Sequence, residues 1–294
     1  MDWIPVLKIC IAFIILALAS WSDWRTRMAS DTYWIVMGTL GLAFLGLQIF
    51  QDGVSPLYYL FLVPLAIFFY DIFWDRPSLI GGEREEMPMA LYIIAFITLG
   101  TLVAIFQTGQ YLWQLMIIPI VILIIIVLYY LDIVKGGADA KALIALAVLF
   151  PVYPAFGELP LIHIPTNLAQ YMFPFPILVL FNAALFVMIF PVSFMFYNLV
   201  KGHARFPVMF FGYMTRLSEA RSKFVWTMER VENGERKTFL FPRGDDDHDE
   251  MLDQLEAVGA EEIWVTPKIP FLIPMTISLL FSALVGNIFF YFFS

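Results

Sequence analysis

Two aspartates stand where an apolar segment meets water, and their placement suggests acid–base chemistry. Asp23 follows the first long apolar block, within Ser22–Arg27, and Asp139 lies within Lys135–Lys141, where the chain returns to an apolar stretch. Ionisable groups at membrane depth are costly and therefore tend to be functional. Two neighbouring carboxyls can share one proton, so that one activates a water molecule while the other donates to a carbonyl oxygen or a leaving amine. Aspartic peptidases need this arrangement.

Small residues precede the second aspartate. Gly136, Gly137 and Ala138 carry no bulky side chain, so a substrate backbone can approach Asp139 closely. The same stretch is also typical of close helix packing or of a kink in a membrane helix. We expect it to give a substrate access to Asp139.

Other acidic residues compete for the role of partner. Asp132 lies seven residues before Asp139 and is an alternative partner. Asp71, near the end of the third apolar block, is a rival catalytic residue. A lone aspartate at a helix end is commonly an interfacial charge or a cap, and Asp31 is expected to cap the second helix.

Metal and cofactor chemistry is not expected. The single cysteine, Cys10, excludes an internal disulfide and a cysteine-based metal cluster. The histidines are scattered: His163, His203 and His248. We predict a site without metal or cofactor, and we expect no nucleic-acid partner.

The elements that carry these residues are membrane helices. Hydrophobic residues make up 61% of the 294 residues and charged residues 14%, with a mean hydropathy of +0.81; soluble domains are about 45–50% apolar and about 25% charged. The apolar residues come in blocks of about 18–25, each long enough to cross about 30 Å of hydrocarbon. The first block has no basic flank or small-residue cleavage site, so we expect a permanent helix rather than a signal peptide. We predict an all-α polytopic membrane protein with about eight spans, near 3–21, 32–50, 56–74, 89–106, 112–131, 140–155, 174–199 and 270–293.

Lysine and arginine predict the orientation of the chain. Basic residues follow the first, third, fifth and seventh spans, whereas the alternate loops 51–55, 107–111 and 156–173 contain none. Lys8 alone departs from the pattern, and we expect it to snorkel outward from the first span. The positive-inside rule then places the N-terminus outside and residues 200–269 in the cytoplasm of a multi-pass cell-membrane protein.

The segment 200–269 is the one sizeable aqueous part of the sequence. Asn233-Gly234 suits a type I′ turn, which predicts a hairpin between strands 224–228 and 238–241. An acidic run, 245–250, leads into a helix, and a strand at 263–265 follows. We predict a membrane domain at 1–199, a small β-β-α-β subdomain at 200–269 and a C-terminal transmembrane helix at 270–294.

Both aspartate motifs resemble those of a known family. The run from Ala19 through Arg27 to Trp34 resembles the first catalytic motif of type IV prepilin peptidases, in which an aspartate ends the first span and a basic segment follows. Lys135–Leu143 resembles the second, a Gly-x-x-Asp motif that opens a later span. The archaeal branch, the preflagellin (prearchaellin) and archaeal prepilin peptidases, also carries a stretch like Trp264–Phe271 before its last helix.

The resemblance implies a membrane aspartic endopeptidase of the GxGD type, with Asp23 and Asp139 as the catalytic pair. Its substrates would be membrane-bound pilin or archaellin precursors, cut after a short basic class III signal peptide at the cytoplasmic face of the bilayer. This sequence departs from the pattern in the long separation of the two aspartates, through an extra hairpin near 56–106, and in Ala138 at the third motif position.

Two other functions fit parts of the pattern. A presenilin-like intramembrane protease would pair Asp71 with Asp139, although the sequence contains no Pro-Ala-Leu motif near its C-terminus. A proton-coupled transporter would use membrane aspartates as relays, but such sites favour the bilayer midplane and internal repeats, and the two main aspartates belong near one face.

Overall fold

The structure, a computed structural model, describes residues 3–74, 86–134, 136–162, 173–240 and 248–287. The chain divides into two units, one formed by Met1–Ala183 with Pro270–Ser294 and the other by Ala184–Ile269. Several predictions fall outside the described residues: those for Lys135, for His163, for the basic loop with Arg76 and Arg84, and for the acidic run as far as Asp247.

The first unit is built from helices. Its elements are α1 (Trp3–Thr26), α2 (Asp31–Gln51), a 3-10 turn (Pro56–Phe61) leading into α3 (Leu62–Asp71), α4 (Glu86–Phe106), α5 (Gln110–Tyr130), α6 (Gly137–Leu149), α7 (Phe175–Val187), which continues past Ala183, and α11 (Leu272–Leu284). Residues 150–162 form an irregular connection held by isolated bridges, which suits a stretch that contains Pro151, Pro154 and Pro160.

Five helical stretches among the described residues are long and apolar enough to cross a bilayer: Trp3–Thr26, Asp31–Gln51, Met89–Phe106, Gln110–Tyr130 and Phe175–Lys201. The other predicted spans coincide with shorter helices, at Pro56–Asp71, Gly137–Leu149 and Leu272–Leu284. The helical membrane architecture is therefore confirmed, whereas the number of eight spans stays a prediction.

Helix α6 lies at the centre of the first unit. Every residue from Ala142 to Leu149 is buried, so this helix is covered by protein on all sides. Helix α2 approaches it most closely at Gly41, where an added Cβ would lie 2.7–2.8 Å from backbone atoms of Val148 and Leu149. Small residues allow such close backbone contact between membrane helices.

The expectation for Lys8 is wrong. The side chain does not extend outward from α1, because Lys8 is only 6% exposed and its ammonium lies 5.6 Å from the centre of the Phe44 ring. Packing against α2, rather than access to water, decides the position of this charge.

The second unit combines a helix with two small sheets. Helix α8 (Ile189–Lys201) is followed by β1 (Tyr213–Arg216), a short helix α9 (Leu217–Ala220), β2 (Val225–Thr227), β3 (Glu229–Glu232), β4 (Glu235–Thr238), α10 (His248–Ala257) and β5 (Glu262–Pro267). Strands β1, β5 and β2 form an antiparallel sheet in that order, with Tyr213 opposite Val265 and Trp226 opposite Thr266. Strands β3 and β4 form a separate hairpin.

The hairpin turn is confirmed but its strands are not those predicted. Asn233 and Gly234 both have positive φ, 57° and 78°, as a type I′ turn requires. The strands beside the turn are β3 and β4, whereas the predicted strand at 224–228 supplies β2, which pairs with β5. Strand β1 was not predicted, because it is only four residues long and is ordered by pairing with β5.

The end of α8 is fastened to the sheet that follows it. The buried Asn198 amide donates to the carbonyl oxygens of Met209 and Gly212, at 2.9 and 2.7 Å. Gly202 ends the helix in the left-handed conformation, with φ at 79°, which glycine adopts without strain. These contacts make α8 and β1 parts of one unit.

Candidate active site

Asp23 lies in the last turn of α1, in a half-buried position. The helix ends where Arg27 adopts a left-handed conformation, φ 58°, and donates its backbone N–H to the Asp23 carbonyl at 2.9 Å. The Arg27 guanidinium packs 5.6 Å from the centre of the Trp24 ring and lies within electrostatic range of the Asp23 carboxyl. Asp23 thus sits beside a fixed positive charge at the end of the first helix.

A buried hydrogen bond fixes the face of α1 that carries Asp23. Ser20 and Asp23 are three residues apart, which places them on the same face of a helix. The Ser20 and Thr276 hydroxyls lie 2.8 Å apart in the buried contact between α1 and α11. Interhelical hydrogen bonds of this kind hold membrane helices in register.

Asp139 lies in the first turn of α6, where the helix dipole favours a negative charge. Its carboxyl folds back over Gly136, the residue before the helix. A Cβ at position 136 would collide with Asp139 Oδ2 and would lie 2.8 Å from Cγ. Gly136 has φ −88° and ψ 122°, which any residue can adopt, so space for the carboxyl is the reason for glycine at this position.

The other two small residues have different surroundings. A Cβ on Gly137 would meet the Tyr129 hydroxyl at 3.7 Å, which is an ordinary contact. Ala138 is half-buried and packs against the helical core. The three small residues before Asp139 are therefore not equivalent, and only Gly136 makes room for the carboxyl.

The structure brings Asp23 and Asp139 into electrostatic range of each other. The reason lies in how three helix ends meet. A four-residue link joins α1 to α2, and the Lys141 ammonium bonds both carboxylate oxygens of Asp31 at 2.7 Å, which ties the start of α2 to the start of α6. Two aspartates 116 positions apart in the sequence therefore lie at one end of the helical unit.

The competing aspartates have other surroundings. Asp132 follows α5 in a left-handed conformation, φ 56°, with its side chain exposed. Asp71 accepts a hydrogen bond from the Tyr92 hydroxyl of α4. The expectation that Asp31 caps α2 is wrong, because Ser30 accepts from Thr32 N–H as the cap and Asp31 pairs with Lys141 instead.

An apolar cavity of about 220 Å³ opens beside Asp139. Among the described residues no group of three or more His, Cys, Asp or Glu side chains converges to hold a metal ion. The expectation of a site without metal or cofactor stays a prediction. What the arrangement offers is a pair of interacting carboxyls, an adjacent guanidinium and an apolar cavity.

Some residues that shape the site were not found from the sequence. The sequence places Lys141 in the second motif but does not reveal its partner, and it assigns no role to the hydroxyls of Thr276, Ser278 and Ser282 on α11. A run of small polar residues in an apolar helix is the signal that could have found them, since such residues bond neighbouring helices.

The apolar helices and the attached sheet unit define a polytopic membrane protein. A family model described as "Archaeal Peptidase A24 C-terminus Type II" matches residues 204–288. Three curated relatives are named preflagellin peptidase. The protein of Methanococcus maripaludis is 33% identical over 52% of this chain and 64% of its own length. The protein of Methanocaldococcus jannaschii is 32% identical over 52% of this chain and 63% of its own length. The protein of Methanococcus voltae is 27% identical over 62% of this chain and 77% of its own length.

The match thus spans less than two thirds of the first two relatives. The family resemblance seen in the sequence is supported by these matches, in which the chain is similar to archaeal proteins named preflagellin peptidase.

Proposed function

We propose that this protein is a membrane aspartic endopeptidase that removes the short basic leader from a prepilin or preflagellin (archaellin) precursor. Asp23 and Asp139 are the catalytic pair. The observation that carries the proposal is that two distant acidic motifs supply interacting carboxyls at one end of a membrane helix bundle. The relatives named preflagellin peptidase support the same activity and substrate class.

The chemistry follows from two carboxyls that share a proton. The ionised carboxylate removes a proton from a water molecule, whose oxygen attacks the carbonyl carbon of the scissile bond. The protonated carboxyl donates to the carbonyl oxygen. The tetrahedral intermediate then collapses as the C–N bond breaks, and the leaving amine takes the proton that the first carboxylate removed from water. The Arg27 guanidinium lies within electrostatic range of Asp23 and stabilises the ionised form of its carboxyl. A charge that is already in place needs no rearrangement when the reaction occurs.

The substrate approaches from the cytoplasmic side in this proposal. The distribution of lysine and arginine puts the N-terminus outside, so the C-terminal end of α1 and the start of α6 face the cytoplasm. The precursor keeps its apolar segment in the bilayer and presents its basic leader at the interface. The acidic segment 244–262, with nine acidic and no basic residues, is a candidate attractor for that leader.

Cleavage of a precursor in reconstituted membranes tests the proposal. Asp23→Asn and Asp139→Asn keep the side-chain volume but remove the shared proton, so each should abolish cleavage. The double variant should lose no more, because the pair acts as one unit. Asp132→Asn, at an exposed position, is the matched control and should cleave at the wild-type rate.

Two outcomes would contradict the proposal. If either Asp23→Asn or Asp139→Asn keeps full activity while folding normally, that residue is not part of the pair. If Asp71→Asn is inactive and Asp23→Asn is active, the presenilin-like pairing of Asp71 with Asp139 replaces the one proposed.

A further inference from the structure

The cavity beside Asp139 is lined mostly by apolar side chains, for which the proposed acid–base chemistry gives no role. Its other lining residues are Ile133 and Val134 from the segment after α5, Leu180 from α7 and Phe271 from the start of α11. Asp139 is thus the one charged lining residue among the described part of the chain. A carboxyl in the lining of an otherwise apolar cavity is suited to a ligand with a polar backbone and an apolar side chain.

Buried hydrogen bonds fix two walls of the cavity. The Ser278 hydroxyl of α11 donates to the Val179 carbonyl oxygen of α7 at 2.6 Å, next to Leu180. The Asn182 amide donates to the Ser282 hydroxyl at 2.9 Å, one turn further along. These bonds hold α7 and α11 together, so Leu180 and Phe271 face the cavity from a preformed wall.

The size of the cavity limits what can enter it. Pockets for small molecules measure about 300–1,000 Å³, and 220 Å³ is below that range. A helix cannot enter, but one apolar side chain of moderate size can. The residue that contributes a scissile carbonyl and the residue after it have Cα atoms about 3.8 Å apart, so a bond held at Asp139 brings both side chains within reach of this cavity.

We infer that this cavity is the subsite for an apolar side chain next to the scissile bond, and that Phe271 and Leu180 supply the apolar contacts that select it. The inference rests on the proposed function and names the specificity element of the same site. It also gives a role to the end of the run Trp264–Phe271, which the catalytic pair leaves unused.

Burial of a matching side chain determines the expected size of the effect. Enclosing an aliphatic side chain is worth about 1.5–3 kcal/mol, and hydrophobic pockets discriminate by about 10–200-fold per misfit of this kind. The wild-type protein should therefore cleave a precursor with leucine at the subsite at least about tenfold faster, in kcat/KM, than one with alanine.

The test is a set of precursors that differ only in the residue on each side of the scissile bond, with alanine, leucine or tryptophan at either position. For each protein variant the ratio of kcat/KM for leucine over alanine is measured, which cancels differences in the amount of active enzyme. Phe271→Ala and Leu180→Ala each enlarge the cavity and should lower the ratio by about tenfold. Ile177→Ala, on the same helix as Leu180 but outside the cavity, should leave the ratio unchanged.

The outcomes separate this inference from the proposed function. Cleavage by the wild type with a ratio that neither Phe271→Ala nor Leu180→Ala changes would overturn the subsite and leave the peptidase standing. A wild type that cleaves none of the precursors would overturn the proposed function and the subsite with it. If Phe271→Ala does not fold, the ratio for Leu180→Ala decides the question.

Discussion

Replacement of Gly136 by alanine should move the Asp139 carboxyl without removing any ionisable group of the site. The new Cβ would lie 2.8 Å from Asp139 Cγ and closer still to Oδ2. To reach an ordinary contact of 3.4 Å the carboxyl carbon must retreat by at least about 0.6 Å, and Oδ2 by more. The backbone conformation at Gly136 accepts alanine, so the collision is relieved by moving the carboxyl and not by refolding the loop.

The expected loss can be estimated from that displacement. A misplacement of about 1 Å in a catalytic group can cost about 10²-fold in rate, or about 2.7 kcal/mol of transition-state stabilisation. Gly137→Ala is the matched control, because its Cβ would find the Tyr129 hydroxyl at 3.7 Å and no closer atom. We expect about a hundredfold loss in kcat/KM for Gly136→Ala and a change of less than threefold for Gly137→Ala.

The assay is single-turnover cleavage of a precursor by each variant in the same membranes, with Asp139→Asn as the inactive reference. Thermal unfolding in detergent shows whether either alanine alters the fold. Wild-type activity in a folded Gly136→Ala protein would refute the reasoning, since the Asp139 carboxyl would then work equally well from a displaced position. Equal losses in both variants would also refute it, because helix flexibility rather than space would explain the glycines.

Three further predictions concern contacts inside the two units, two in the helical unit and one in the unit with the sheets. Gly41→Ala should lower the free energy of unfolding by about 1–3 kcal/mol, because the new Cβ would collide with backbone atoms of α6 that cannot move away. Gly46→Ala on the same helix is the control, since its Cβ would have its nearest neighbour 3.6 Å away, and it should change the free energy of unfolding by less than about 0.5 kcal/mol. A double-mutant cycle with Asp31→Ala and Lys141→Ala should give a coupling energy of about 0.5–1 kcal/mol, because the pair is partly exposed; no coupling would contradict a link between α2 and α6. Asn198→Asp, which cannot donate to two backbone carbonyls, should lower the melting temperature as much as Asn198→Ala, and a harmless Asn198→Asp would exclude these bonds as the fastening of α8.

The sequence determined the class of the protein and the chemistry to look for. Apolar blocks of bilayer length dictate helices, because only a helix satisfies its own backbone hydrogen bonds in lipid. The Asn233-Gly234 pair fixed a turn through its preference for positive φ. The two aspartate motifs led to the family resemblance that the proteins named preflagellin peptidase support. Each of these signals is local, so a single stretch of chain contains all of it.

The strand partners and the charges near the membrane could not be assigned in the same way. Val225–Thr227 pairs with β5 rather than with the neighbouring hairpin, because a short strand is stabilised by whichever edge buries its side chains. Lys8 is buried against Phe44 rather than extended toward water, which depends on how closely α1 and α2 approach. Asp31 pairs with Lys141, 110 residues away, instead of capping its own helix.

Sequence alone therefore identified Asp23 and Asp139 as candidates but did not show that their carboxyls lie within electrostatic range of each other. Only the tertiary structure decided that the Asp139 carboxyl lies over Gly136, whereas Gly137 faces the Tyr129 hydroxyl. It also decided that Leu180 and Phe271 line the cavity beside the carboxyl. The physical reason is that these contacts join residues far apart along the chain, and their geometry follows from helix packing around α6. Local sequence fixes which groups can ionise, bond or bury, and packing fixes which of them reach one another.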